Sequence, residues 1–76
     1  MKNVFPERFS ELIKESNYNY EQIAKKLNLK SKGTISKYAT GKIQNIDISM
    51  VQKIAGIFDV SPAWLAGFSD EKKRKK

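Results

Sequence analysis

The chain has no cysteine and no histidine. Without cysteine there is no disulfide and no thiolate ligand, and a reduced, cytoplasmic setting fits best. Without histidine the usual general base and the commonest metal ligand are missing. Long apolar runs are lacking too, so no segment is long enough to span a bilayer. The opening MKNVFPERF has no extended apolar core of the kind a secretory signal carries. No glycine-rich phosphate loop, metal-binding cluster or nucleophile with an evident base occurs. The expectation is a non-enzyme with no metal, no cofactor, no small-molecule substrate and no place in a membrane.

Acid is missing from one region in particular. Between Ile23 and Ile46 there are six lysines and no aspartate or glutamate. The whole chain of 76 residues carries a formal +7, and its last seven residues, DEKKRKK, hold five bases against two acids. A basic block inside a folded domain, flanked by balanced segments, suggests a polyanion partner. The bland alternative is a solvated charged face. At this length one small domain with a single modest core is expected.

Apolar residues recur at helical rather than alternating spacing, and five helices with short breaks are predicted. The first spans about 6–16, with Pro6 in its first turn and Phe9, Leu12, Ile13 and Ser16 on one face with Phe5. The second runs about 20–27, with Asn19 as N-cap and Ile23, Ala24 and Leu27 buried. The third starts after Ser31, its N-cap, and continues to Thr40, with Gly41 closing it. The fourth follows Asp47 as N-cap and carries Ile48, Val51, Ile54, Ala55 and Phe58 as a stripe. The fifth is short, with Ser61 as N-cap, Pro62 at its first position, and Val60 and Leu65 placed as a hydrophobic staple.

Helices two and three, joined by a tight break, have the form of a DNA-reading unit. At about 100° per residue, Ile35, Tyr38 and Ala39 share an arc that faces the core. Gly33, Ser36, Lys37 and Thr40 fall on the opposite arc, and Lys32 lies at its N-terminal edge. That outer arc is small, polar and cationic. A major groove about 12 Å wide admits one such helix, whose side chains reach base edges.

The segments YEQIAKKLNL, TISKYATGK and VQKIAGIFDVSPAWLAGF together resemble the Cro and lambda-repressor (XRE-like) helix-turn-helix family. The last is especially similar to prophage repressors, where Val-Ser-x-x-Trp-Leu-x-Gly-Phe commonly ends the DNA-binding domain. The resemblance covers about residues 5–69. It implies an all-α, compact five-helix, lambda-repressor-like domain over 1–69. Residues 70–76 are then a basic solvated tail or the start of a linker. The implied function is sequence-specific binding of double-stranded DNA in transcription regulation, most simply by a prophage-type repressor that occupies its operator. The implied setting is the bacterial or phage-encoded cytoplasm, at the nucleoid. Lys32, Gly33, Ser36 and Lys37 are the expected base contacts, and Tyr20, Ser31, Thr40 and Lys42 the expected backbone contacts. Trp64, Leu65 and Phe68 either close the core or form a homodimer contact. A two-fold dimer would require a near-palindromic operator with half-sites about 34 Å apart. The rival reading is an antitoxin-like or other protein-interaction module on the same fold.

Three departures from the family carry expectations of their own. Asn17, Asn28 and Asp59 stand where the family usually has helix-ending glycines, and positive φ is predicted at each. Ile13 and Ala39 stand where the family often has an ion pair, so Ile13 should lie near Ala39 or Tyr38 in apolar packing. Finally, the link from Leu27 to Ile35 is one residue longer than usual, most simply by insertion of Lys30.

Overall fold

A computed structural model describes residues 4–43 and 46–73. Its helices are α1 (Phe5–Glu15), α2 (Tyr20–Lys26), α3 (Lys32–Thr40), α4 (Ile48–Phe58) and α5 (Pro62–Ala66). Among the described residues there is no strand, only an isolated antiparallel bridge between Val60 and Lys73. The all-α architecture is the one expected.

The starts of four helices are fixed by the side chains that the sequence offered as caps. The Asn19 side chain accepts from the Gln22 amide at 2.8 Å, and the Asn19 amide donates to Gln22 Oε1 at 2.9 Å. This reciprocal pair satisfies two helix-start donors. Ser31 accepts from the Gly33 amide, Asp47 from Met50 and Ser61 from Trp64. α1 has no side-chain cap at Val4, but Pro6 in its first turn has no N–H to satisfy.

Three helix ends share one device. A residue in the left-handed region is followed by an amide that reaches back five residues. Asn28 (φ 59°), Asp59 (φ 55°) and Gly67 (φ 94°) each turn the chain. The next amides, of Leu29, Val60 and Phe68, then donate to Ala24, Ala55 and Ala63 at 2.8, 3.0 and 2.8 Å. Asn28 and Asp59 thus have the expected positive φ, whereas Asn17 does not. α1 ends instead at Ser16, in extended conformation. The Ser16 amide bonds the Leu12 and Ile13 carbonyls, and its hydroxyl bonds the Ile13 carbonyl and the Tyr18 amide. With the helix end closed in this way, no left-handed residue is needed.

The core gathers one face from every helix. Phe5, Phe9, Ile23, Ile35, Ile54 and Leu65 are the largest fully buried side chains. Burial of each stabilises by roughly 1.5–3 kcal/mol. Ile48 departs from the expected stripe and is 60% exposed. It stands one turn ahead of Val51, the first buried residue of α4. Helical spacing fixes the face of a residue, not where along the helix its neighbours begin.

α3 is seated between α1 and α2. Phe5 meets Tyr38 edge to face at 6.2 Å, and the Ser10 hydroxyl donates to the Ala39 carbonyl at 2.7 Å. Ile13, one turn beyond Ser10, is half-buried against the same core. No polar or charged side chain is buried among the described residues.

The segment after α5 turns back on the body. Arg8 reaches from α1 to donate to the carbonyls of Trp64 and Ser69, and its guanidinium lies 4.9 Å from the Trp64 ring centre. Lys72 lies 5.4 Å from the same ring centre and pairs with Glu15 at 3.1 Å. The Lys72 carbonyl accepts from the Ser61 amide at 2.9 Å. Residues 70–73, expected as part of a basic solvated tail or the start of a linker, are joined to α1 and to the start of α5, while residues 74–76 lie outside the described residues. Trp64 and Leu65 are buried in this core and leave little surface for a second chain, whereas Phe68 is 77% exposed.

Candidate nucleic-acid interface

The turn between α2 and α3 sets the register of the proposed reading helix. Asn28 reverses the chain, the Leu29 amide anchors it to α2, and Ser31 caps the next helix. With Ser31 as cap, Lys32 and Gly33 occupy the first two helical positions. Ile35 is fully buried and Ala39 nearly so, which turns the opposite side of α3 outward. Lys32 and Lys37 are exposed, and neither forms an ion pair among the described residues. Gly33 and Ser36 between them are half-buried and short.

Tyr20, at the first position of α2, is 36% exposed. With Asn19, Glu21, Lys32, Gly33 and Ser36 it lines an open depression of about 430 Å³. The first turns of α2 and α3 thus form one surface. Four of the expected contact residues, Tyr20, Lys32, Gly33 and Ser36, border it together.

The Ser31 hydroxyl oxygen accepts from the Gly33 amide at 3.1 Å. Its proton is left to donate, which suits a phosphate oxygen. Thr40 differs. Its hydroxyl donates to the Ser36 carbonyl at 2.8 Å. A hydroxyl has a single proton, and a phosphodiester oxygen offers only lone pairs. Thr40 therefore has no proton for the backbone in this conformation. Lys42 is exposed just past the left-handed Gly41 (φ 84°), at the far end of α3 from Lys32.

The reciprocal Asn19–Gln22 cap and the clasp by Arg8 were not foreseen. The first had a signal, since glutamine three residues after an N-cap asparagine is a capping-box pattern. The second had none in local spacing, because Arg8 and Ser69 are 61 residues apart.

A family model described as helix-turn-helix matches residues 10–65, from the middle of α1 into α5. No curated protein and no solved structure matches the chain.

Proposed function

The chain belongs to the XRE-like helix-turn-helix family, whose members are double-stranded-DNA-binding regulators of transcription, and from that premise we propose that it is a prophage-type repressor acting by operator occupancy. The observation that carries this reading is the two-sidedness of α3. Ile35 and Ala39 are buried, Lys37 is exposed on the opposite side and Lys32 at its N-terminal edge, with short residues between them and no ion pair to either lysine among the described residues. Lysine can bond guanine O6 and N7, so Lys32 and Lys37 are assigned to base edges. Ser36 adds a hydroxyl, and Gly33 lets the backbone approach. Tyr20, Ser31 and Lys42 are assigned to phosphates, which position the helix without reading sequence.

The protein acts as a homodimer on a near-palindromic operator, its two reading helices about one DNA turn apart. Phe68, the most exposed of the large apolar side chains among the described residues, is available to such a contact. The same exposed ring favours the rival reading, an antitoxin-like module whose main surface binds a protein. Selection of bound duplexes from a random pool separates the two. Repression predicts winners with two-fold symmetry and a fixed half-site spacing. A pool with no enriched sequence would refute operator recognition. Lys37→Ala should reduce preference for the winning sequence by the roughly 1–3 kcal/mol that a good base contact supplies. Equal weakening on all duplexes would make Lys37 a phosphate contact.

A further inference from the structure

The extra residue in the α2–α3 turn has no part in the reading above, and its surroundings give it one. A notch of about 380 Å³ opens beside the turn, bordered by Glu21, Lys25, Lys30, Ser31 and Lys32. Three lysines against one glutamate leave it cationic. Glu21 is turned toward Lys25, at 3.8 Å. Lys30 is exposed and forms no ion pair among the described residues. Its backbone follows directly on the Leu29–Ala24 bond, which ties the turn to α2. The next residue, Ser31, holds a hydroxyl proton ready to donate.

We propose that this notch binds a phosphodiester of the DNA backbone, held by Lys30 and the Ser31 hydroxyl, in addition to the contacts made by α3. The inference rests on the DNA-binding reading and deepens it by adding Lys30 to the phosphate already assigned to Ser31. A cation on a flexible stem suits this role, since a phosphate presents charge and lone pairs from several directions. Such a contact adds affinity and register but no base preference.

Counterion release provides the test. Each neutralised phosphate contributes about 0.9 to the slope of log K against log salt on B-DNA. Binding to the selected duplex and to a scrambled duplex is measured by fluorescence anisotropy between roughly 50 and 200 mM salt. Lys30→Ala should flatten the slope by about 0.9, so its affinity deficit shrinks about 3.5-fold across that range. Preference for the selected duplex should be unchanged, and Lys30→Arg should restore the slope. Placing a neutral methylphosphonate at one backbone position after another repeats the test on the unaltered protein. One position should weaken the wild type markedly more than Lys30→Ala, in which only the Ser31 hydroxyl remains at that phosphate. Equal slopes with wild-type binding intact would overturn the assignment to Lys30 alone. Loss of sequence preference in Lys30→Ala would overturn it as well, by making Lys30 a base contact. A wild type whose binding to either duplex ignores salt would instead overturn the DNA reading, and this inference with it.

Discussion

Gly41 and Gly67 close α3 and α5 in the same left-handed conformation, at φ 84° and 94°, yet differ in what a methyl group would meet. A Cβ on Gly41 would lie 3.6 Å from Pro6, an ordinary contact, whereas one on Gly67 would lie 2.8 Å from Val4 Cγ2. Gly41→Ala is therefore a test of backbone conformation alone. A left-handed alanine costs about 1–2 kcal/mol, and the stiffer unfolded chain returns about 0.4–1 kcal/mol. The net loss should be near 1 kcal/mol, a fall of about 4–8 °C in Tm for a domain of this size. Gly67→Ala bears the same backbone cost and adds overpacking of roughly 1–3 kcal/mol, because valine is stiff at χ1 and cannot swing aside. Val4→Ala in that background should recover the overpacking part, and in the Gly41→Ala background it should recover nothing. Thermal melts followed by circular dichroism read all four proteins. A Gly41→Ala variant as stable as the wild type would refute the left-handed closure of α3. Failure of Val4→Ala to rescue selectively would refute the packing of Val4 on Gly67.

Removing the Arg8 guanidinium should release the segment after α5. Arg8→Ala is expected to speed hydrogen exchange at the Ser61 amide, which bonds the Lys72 carbonyl; unchanged exchange there would count against the clasp. Most of the loss should come from its bonds to the Trp64 and Ser69 carbonyls, since the 3.8 Å pair with exposed Asp70 contributes little. Ile35→Ala should cost roughly 2–5 kcal/mol and Ile35→Val about 0.5–1.5 kcal/mol in denaturant titrations. A mild alanine variant would mean that α3 is not seated on Ile35. The Asp47 carboxyl is held below its ordinary value by the Met50 amide, and then by the Ser49 hydroxyl. Its folded pKa is lower than its unfolded one, so its stabilisation is complete above the unfolded value and lost as pH falls through the folded value. Asp47→Asn keeps a capping oxygen but cannot titrate, so its melts should lose less stability than the wild type's on acidification; parallel losses would contradict the assignment.

The parts of this fold that were legible in the sequence are those decided within four or five residues. Asn19, Ser31, Asp47 and Ser61 all cap the helices they precede, because a short oxygen-bearing side chain beside the first orphan amides has little else to do. Asn28 and Asp59 were readable as left-handed ends through the resemblance, because they stand where the family usually has helix-ending glycines and such side chains tolerate that conformation. Asn17 misled because Ser16 had already supplied the closing bonds. For the candidate interface, spacing located the outward arc of α3, and the observed cap at Ser31 settled its register. Spacing could not reveal that Thr40 gives its proton to Ser36, since that depends on a side-chain rotation. Nor could it place Lys72 against Trp64 or Arg8 under Ser69, contacts that exist only once the chain has folded back.

The junction of α1, α2 and α3 consists of hydrocarbon, rings and one hydroxyl-to-carbonyl bond, with no buried charge among the described residues. The mounting of α3 is therefore indifferent to ionic strength and to mild changes of pH. Whatever sensitivity to salt the protein displays when it meets a polyanion belongs to its outer lysines, and a salt titration measures that boundary without contamination from the scaffold beneath.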